Sequence, residues 1–350
     1  MSNPRPPFVL GIETSCDETA AAVVCADPNQ PILSNIIARQ DHNTFGGVIP
    51  EVAARQHLRT ITPTIKRALA TAKLKPHEID AVAATSGPGL LGGLIVGASF
   101  GQSFAAGLKR PFFSINHLEG HLLSARIHHS VWFPFLILLI SGGHTELMIA
   151  HDIGVYQSLG RTIDDAAGEA FDKVARALGL GYPGGEEIEK YANIENDSTE
   201  NKDTDLILPR PMIGRENCDF SFSGLKTAAF RAIQAKQAST AQVCRAMSSA
   251  ISDCLVDRTA RAIQHYRRIQ PHSGHLVVAG GVAANQQIKA ALDDLSTRNG
   301  MKLCAPPRDL CTDNAAMIAW AGLERLSRCR AMAVDAPRPR WPLTKLAAVG

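Results

Sequence analysis

Two histidines four residues apart, His117 and His121, have the type and spacing of metal ligands. On a helix such residues share one face, with Cβ atoms roughly 5–6 Å apart, so both imidazoles could bind one ion. In zincin proteases a Glu directly follows the first histidine and serves as general base. Here Glu119 lies two positions after it, about 200° round the helix. The pair therefore indicates a metal site other than a protease site, unless both histidines are ordinary side chains that bind nothing.

A third ligand could come from Asp313, which precedes an apolar segment with helical spacing. In one interpretation Asp313 is a helix N-cap, which is the commonest role of Asp at such a position. In the other, the start of this helix lies near His117 and His121, and Asp313 completes a set of two histidines and one carboxylate. Such a set suits iron(II) or zinc with open coordination positions. The residues alone leave both interpretations open.

Three further turns could bind a phosphate or an acyl group. The polar turn at 13–19 offers hydroxyls and backbone N–H groups, and its acids Asp17 and Glu18 could position water or a nucleophile. A plain hairpin tip with solvated acids is the alternative. The turn at 141–145 contains two consecutive glycines, which let the backbone approach a ligand closely. At 280–285 a Gly-Gly pair leads into a helix N-terminus, a place that favours anions.

The elements that would position these residues follow a pattern that occurs twice. A strand, a turn and a returning strand are followed by alternating helices and strands, which suggests two similar α/β lobes with a cleft between them. The first turn and the 141–145 turn would then face each other across this cleft. Strands are predicted at 8–12, 20–25, 80–86, 111–115, 133–140, 145–150, 276–279 and 301–304. Helices are predicted at 51–72, 90–108, 165–178, 238–270 (one long helix or two stacked helices), from 283, and at 314–326, with 182–185 as a helix stop and 86–89 as a strand-to-helix turn.

The composition is that of a soluble globular protein. The chain has 350 residues, enough for two domains with full cores, and a net charge of +3. There is no global basic footprint, so nucleic acid would have to meet a local patch. Basic residues at and near one predicted helix could form such a patch, although a solvated helix face is the simpler interpretation: Arg55, Arg59, Lys66 and Arg67.

The cysteines and apolar runs indicate the compartment. No Cys-x-x-Cys pair occurs among the eight cysteines, which favours buried thiols in a reducing compartment. No signal peptide is evident, and the apolar run at 132–140 is too short to cross a bilayer. We therefore expect a cytoplasmic protein without membrane contact. The acidic stretch 195–205 is predicted to be a solvated loop, and the Pro-rich tail after Asp335 to be extended and poorly ordered.

Nine motifs, in order, resemble those of one family. The chain resembles the tRNA N6-adenosine threonylcarbamoyltransferase family of the bacterial TsaD type, formerly called the glycoprotease or O-sialoglycoprotein endopeptidase family. The resemblance runs from about Phe8 to Leu326 and does not extend to the 195–205 insert or the tail. The motifs are GIETSCDET at 11–19, SGPGL at 86–90, NHLEGH at 116–121, LISGGH at 139–144, DDAAGEAFDK at 164–173, YPGG at 182–185, FSFSGLK at 220–226, GGVAAN at 280–285 and TDN at 312–314.

The resemblance implies a two-lobed α/β fold of the actin-like ATPase type, the architecture of sugar kinases and heat-shock proteins, with a central cleft. The lobes would be residues 1–117 and 118–313, with a helix at about 314–330 packing back on the first lobe and an extended tail at 331–350. It also implies a divalent metal ion, iron(II) with zinc as the alternative, held by His117, His121 and Asp313.

The implied reaction moves the threonylcarbamoyl group of threonylcarbamoyl-AMP to N6 of adenosine 37, in tRNAs that read codons beginning with A. AMP is released. Asp17 and Glu18 match family positions linked to activity, and we take them as the candidate catalytic residues. The implied nucleotide and acyl site consists of Leu139, Ile140, Ser141, Gly142, Gly143, Asp172, Gly185 and Asn285.

The resemblance also implies partners, and other functions compete with it. Bacterial members work with a degenerate paralogue of the same fold, of TsaB type, and a small ATPase of TsaE type. An actin-fold ATPase or kinase would explain the phosphate-binding turns but not the pair His117 and His121. A metalloprotease would leave the nucleotide motifs without a role. A non-enzymatic scaffold would leave the ligand-type residues without a role.

Overall fold

The computed structural model describes residues 5–40, 48–194, 206–328 and 336–346. They form two compact units. The first contains Met1–Ser130, Asp152–Tyr156 and Pro306–Gly350, and the second contains Val131–His151 and Gln157–Ala305. The lobe boundaries 1–117 and 118–313 stay a prediction, and the first unit includes residues 118–130 as well. The 195–205 segment, predicted to be a solvated loop, lies outside the described residues.

Ten strands and ten α-helices make up the described chain. The strands are β1 Phe8–Glu13, β2 Glu18–Cys25, β3 Ile32–Arg39, β4 Ala81–Gly87, β5 Phe112–Asn116, β6 Phe135–Ile140, β7 Thr145–Asp152, β8 Val155–Arg161, β9 His275–Ala279 and β10 Lys302–Cys304. The helices are α1 Pro50–Thr71, α2 Leu91–Leu108, α3 His117–Ser124, α4 Ala167–Ala177, α5 Gly184–Ala192, α6 Ser223–Gln234, α7 Thr240–Tyr266, α8 Gln286–Arg298, α9 Arg308–Cys311 and α10 Ala315–Leu326.

Each unit is built on one five-stranded sheet, and the two sheets have the same plan. The first has the order β3-β2-β1-β4-β5, and the second β8-β7-β6-β9-β10. In each, a central strand (β1 or β6) pairs antiparallel with the strand that follows it and parallel with a later strand. The parallel strands are buried along their whole length, as strands covered on both faces must be. The repeated pattern predicted from the sequence is therefore present.

Helix α10 returns the end of the chain to the first sheet, where it packs on β1, β2 and β4. Among the described residues, α2 alone is long and apolar enough to cross a membrane by length and composition. A single helix of this kind is weak grounds for a membrane protein, because core helices pass the same test. Helix α2 packs on β4 and α1 within the first unit.

Several elements differ from the sequence prediction. Strands β3 and β8 and helices α5 and α6 were not predicted. The 182–185 motif was interpreted as a helix stop, but Gly184 begins α5, with Pro183 as its N-cap residue. The helix predicted from 283 begins later, since Gly281–Ala284 is a 3₁₀ turn and α8 starts at Gln286. Helix α7 is one continuous helix, opened by the capping box of Ser239 and Gln242.

The described part of the tail is not loose. Residues 336–346 lie on the first unit, where Trp341 and Leu343 are buried. Leu343–Lys345 forms a 3₁₀ turn. The expectation of a poorly ordered tail is therefore wrong for these residues, because two large apolar side chains gain enough burial to hold the segment.

Candidate metal centre and ligand-binding turns

Helix α3 presents the two histidines because β5 runs directly into it. Asn116 ends β5 and is the N-cap of α3, where its Oδ1 accepts hydrogen bonds from the backbone N–H groups of Leu118 (2.9 Å) and Glu119 (3.3 Å). This cap fixes His117 at the first helical position, with His121 one turn later on the same face. The ring centroids lie 4.8 Å apart at an interplanar angle of 86°.

Asp313 meets both histidines. Its Oδ1 lies 3.4 Å from Nε2 of His117 and 3.1 Å from Nε2 of His121. The three ligand atoms all lie within 4.8 Å of one another. The N-cap of α10 is Asn314, whose Oδ1 accepts from the Met317 N–H at 3.0 Å. The interpretation of Asp313 as a helix cap is therefore wrong.

A second carboxylate, that of Glu13, contacts the ring nitrogen of His117 that does not face Asp313. Nδ1 of His117 lies 3.1 Å from Oε2 of Glu13 and 3.2 Å from Oγ of Ser15. Glu13 is 1% exposed, and it also accepts hydrogen bonds from the Ser15 N–H and the Thr85 hydroxyl. A carboxylate on one ring nitrogen fixes the tautomer and directs the other nitrogen to a metal. This role of Glu13 is not predicted from the sequence, although an acid at the end of a buried strand is a signal that could have indicated it.

The charges of this cluster favour a cation. Burial alone would lower the pKa of His117, but the carboxylates of Asp313 and Glu13 outweigh it and raise that pKa well above its usual value. Burial alone would raise the pKa of Asp313, but His117 and His121 hold it well below its usual range. The buried carboxylate of Glu13 and the partly exposed carboxylate of Asp313 thus favour positive charge between them. A divalent ion would supply it, and two imidazoles with one carboxylate suit zinc or iron(II).

The carboxylate of Glu119 is fully engaged with groups other than the three candidate metal ligands. Its Oε2 accepts from Nη2 (2.6 Å) and Nε (3.2 Å) of the buried Arg325. Its Oε1 accepts from the Gly154 N–H at 3.0 Å and the Tyr156 hydroxyl at 2.9 Å. A carboxylate with four donors and no exposed surface has no position for a reacting water, so a protease base is excluded at Glu119.

The turn that carries Asp17 and Glu18 joins β1 to β2 in the same unit. The buried His57 of α1 holds it, with Nε2 3.0 Å from the Cys16 carbonyl oxygen and Nδ1 2.8 Å from the Thr19 hydroxyl. Burial, followed by the charges of Asp17 and Asp313, raises the pKa of Glu18 to about 8. Glu18 therefore lies close enough to Asp313 of the candidate metal cluster to feel its charge.

In the second unit, two turns meet at the carboxyl ends of β6 and β9. Leu139 and Ile140 end β6, and the following turn closes with a 2.7 Å bond from the Ser141 N–H to the His144 carbonyl oxygen. Gly280 has φ of +94°, and a Cβ there would lie 2.4 Å from the Ile140 carbonyl oxygen. The two backbones therefore approach as only glycine allows. The carboxyl ends of parallel strands are where α/β sheets bind ligands.

The remaining predicted substrate residues lie on helices linked around this edge. Asp172 of α4 accepts from the Gly184 N–H at 2.8 Å, next to Gly185, and burial raises its pKa. The Gln286 N–H donates to Glu189 at 2.7 Å, which joins α8 to α5. Asn285 caps α8 with Oδ1. Its buried Nδ2 has no hydrogen-bond partner among the described residues.

The basic side chains considered for nucleic acid lie together on one helix. Arg55, Arg59, Lys66 and Arg67 are all exposed on α1 in the first unit. Arg55 pairs with Glu51 at 2.7 Å. Their contact with RNA stays a prediction.

Comparison with known proteins decides the family. The profile of TsaD, tRNA N6-adenosine threonylcarbamoyltransferase, matches residues 31–320. Proteins named tRNA N6-adenosine threonylcarbamoyltransferase from Brucella canis and Brucella abortus (strain S19) are each 49% identical over 351 residues, covering 97% of this chain and 96% of the relative. The chain belongs to this family. It is accordingly a transferase, and the resemblance seen in the nine motifs is confirmed.

Solved structures confirm the fold at much lower identity. HypF from T. kodakarensis has a TM-score of 0.60 and 14% identity over 93% of this chain and 49% of that chain. Component A of (R)-2-hydroxyglutaryl-CoA dehydratase from Acidaminococcus fermentans has a TM-score of 0.51 and 14% identity over 92% of this chain and 99% of that chain. At such identities the likeness shows the fold alone, which is the predicted actin-like ATPase fold.

Proposed function

We propose that this family member transfers the threonylcarbamoyl group from threonylcarbamoyl-AMP to N6 of adenosine 37, in tRNAs that read codons beginning with A, and releases AMP. The observation that carries the proposal is the convergence of His117, His121 and Asp313 within 4.8 Å, in a chain whose family profile covers residues 31–320. An ATPase or kinase of the same fold would leave this cluster without a purpose.

The donor is a mixed carboxylic–phosphoric anhydride, which is already activated and has AMP as a good leaving group. The protein therefore needs no covalent nucleophile. It needs to orient donor and acceptor and to stabilise negative charge that develops on the carbonyl oxygen.

The second unit supplies groups suited to the nucleotide and acyl parts of the donor. Support comes from the glycine turn after β6, the partnerless Nδ2 of Asn285 and the α8 N-terminus, which favours anions. The proposed set is Leu139, Ile140, Ser141, Gly142, Gly143, Asp172, Gly185 and Asn285.

The first unit supplies the proposed metal site. His117, His121 and Asp313 would hold a divalent ion, iron(II) in our proposal and zinc as the alternative, with Glu13 orienting His117. When bound, such an ion supplies Lewis acidity or a fixed anchor for the threonylcarbamoyl group.

Asp17 is the proposed acceptor of the proton from N6, with Glu18 beside it. The turn that carries both acids is held by His57. The raised pKa of Glu18, about 8, suits a group that exchanges protons near neutral pH.

The complex is also part of the proposal. We propose that the chain works in the cytoplasm on tRNA, with a degenerate paralogue of TsaB type and a small ATPase of TsaE type. The basic face of α1 could contact tRNA phosphates, and +3 is too small a net charge for the chain to bind tRNA by general attraction.

The test is acceptor modification. The chain and its partners are mixed with threonylcarbamoyl-AMP and unmodified tRNA, and the digested tRNA is searched for threonylcarbamoyladenosine by mass spectrometry. A His117→Ala, His121→Ala variant runs beside the wild type. A His77→Ala, His128→Ala variant, which removes two exposed histidines, serves as the matched control.

Product from the wild type and the control, with little from the His117→Ala, His121→Ala variant, would support both the reaction and its need for the metal site. Absence of product with every set of partners would favour the kinase-like function. Product from all three proteins would reduce the metal to a structural role.

A further inference from the structure

We propose that residues 336–346, here called the C-terminal strap, are a positioning element of the metal centre. The inference rests on the proposed metal site and on no assumption about the tRNA reaction. The strap lies over 20 residues beyond Asp313 and contains none of the three ligands. Its contacts nevertheless reach both structures that orient His117.

The first contact is to the cap of the histidine helix. Nδ2 of Asn116 donates a 2.7 Å hydrogen bond to the Trp341 carbonyl oxygen. Asn116 is fully buried, and its Oδ1 caps α3. The Asn116 amide therefore binds α3 through its oxygen and the strap through its nitrogen, and these three hydrogen bonds fix the direction in which His117 leaves β5.

The second contact is to the turn between β4 and α2. The Arg338 N–H donates to the Ser86 carbonyl oxygen at 2.7 Å, and the Gly89 N–H donates to the Pro339 carbonyl oxygen at 3.2 Å. Gly87 has φ of +145°, and a Cβ there would lie 1.9 Å from the Arg338 carbonyl oxygen. Only glycine lets the strap lie this close.

The same turn supports the polar groups behind His117. The Leu90 N–H donates to the Ser15 carbonyl oxygen at 2.7 Å. The Ser15 hydroxyl is 3.2 Å from Nδ1 of His117, and the Ser15 N–H binds Glu13. The strap thus supports His117 by two routes, through Asn116 and through Ser15.

Apolar burial holds the strap in place. Trp341 and Leu343 are 5% and 4% exposed, and the Arg338 guanidinium lies 5.2 Å from the Trp341 ring centroid. A cation over an aromatic face and two buried side chains are enough to dock a short segment. Loss of the strap would leave the three metal ligands in the chain but remove the support of one of them.

The experiment measures Zn²⁺ affinity by competition with a chromophoric chelator, and the visible spectrum of bound Co²⁺ as a report on ligand geometry. The proteins are the full chain, a chain ending at residue 335, and a chain ending at Leu346 as the matched control. Asn116→Ser is included because serine also caps helices but is too short to reach Trp341. His117→Ala shows what loss of a ligand does.

We expect the chain ending at residue 335 to bind Zn²⁺ about 10–100-fold more weakly, the loss typical of groups that orient a ligand, with an altered Co²⁺ spectrum and unchanged far-UV circular dichroism. The chain ending at Leu346 should match the full chain. The Asn116→Ser variant should also bind Zn²⁺ more weakly than the wild type. Truncation in the Asn116→Ser background should cost less than in the wild type, because one of the two routes is already cut.

A folded chain ending at residue 335 with wild-type Zn²⁺ affinity and Co²⁺ spectrum would overturn the inference. If that chain does not fold, the Asn116→Ser variant provides the test. A Zn²⁺ affinity of this variant equal to that of the wild type would overturn the inference. If the full chain binds Zn²⁺ no more tightly than His117→Ala, the metal site itself fails, a result distinct from failure of the strap alone.

Discussion

The substitution Glu119→Gln would remove one negative charge from a fully buried network. Glu119 holds Arg325 by two hydrogen bonds, at 2.6 and 3.2 Å, and Arg325 is 1% exposed. Glutamine keeps the shape of the side chain but offers a single acceptor oxygen. Either the guanidinium, or the pair formed by the Gly154 N–H and the Tyr156 hydroxyl, would then face an amide NH₂.

The magnitude follows from the charge left behind. Removal of one partner from a buried ion pair costs about 3–5 kcal/mol, since the remaining charge stays buried and loses the carboxylate that neutralises it. Domains are stable by only about 5–15 kcal/mol, so we expect the first unit to be close to unfolding. Replacement of both charges, in Glu119→Gln with Arg325→Met, should recover much of the loss. The exposed pair of Arg55 and Glu51 is the control, because Glu51→Gln should cost less than about 1 kcal/mol.

Urea denaturation of metal-free protein, followed by circular dichroism and tryptophan fluorescence, gives these differences. Metal must be absent, because an ion at 100 times its Kd would add about 2.7 kcal/mol to the native state and hide the loss. A Glu119→Gln protein as stable as the Glu51→Gln control would refute the reasoning. It would mean that Arg325 does not need the negative charge of Glu119 to stay buried.

Four further predictions concern the two sites. Asp17→Ala should slow the chemical step by about 10²–10⁴-fold, as expected for a lost general base, with AMP affinity retained; equal losses in single-turnover rate and in affinity would contradict this. In metal-free protein the raised pKa of Glu18, about 8 against an ordinary 4.5, stabilises the native state fully below about pH 4.5, and this contribution is lost as the pH rises through 8. The urea midpoint of the Glu18→Gln variant should therefore fall less between pH 4.5 and pH 8 than that of the wild type. Identical pH profiles of the two proteins would contradict this prediction. Asn285→Ser keeps a helix cap but loses the partnerless Nδ2, so calorimetry should show AMP binding weakened by about tenfold, the loss of one hydrogen bond. An added Cβ at Gly142 or Gly224 meets no described atom within 4 Å, so both Ala variants should fold normally, but only Gly142→Ala should bind AMP more weakly.

Local spacing was enough to find the histidine pair, since four residues on a helix fix a shared face. It could not place Asp313, which is 192 residues from His121 in the chain. Asp313 and Asn314 are both good N-cap residues, so only the fold shows that Asn314 caps α10. The resemblance to the family, rather than any periodicity, put Asp313 with the two histidines, and the structure brings the three side chains together.

The elements missed by sequence reasoning have physical reasons. Strand β8 alternates exposed and buried residues irregularly, so it lacks the period that marks a strand. Helix α5 begins at two glycines after a proline, a combination more typical of helix ends. The pairing of Glu119 with Arg325 joins residues 206 apart. A lone acid between two histidines gave no sign that its partner lay on the last long helix.

The position of α10 in the chain has a consequence for biosynthesis. Asp313 precedes this helix and Arg325 lies in its last turn. The residues that they contact lie on α3: His117 and His121 for Asp313, and Glu119 for Arg325. At 5–20 residues per second, the 192 residues between His121 and Asp313 take roughly 10–40 s to translate. Throughout that interval a nascent chain displays two histidines and no third ligand. Residues 157–305 are all made before Pro306, so the unit that is second in the chain is the first whose sequence is complete. Translation arrested between Ala305 and Asp313 would therefore leave the second unit complete in sequence, while the first unit would still lack Asp313, the carboxylate of the candidate metal site.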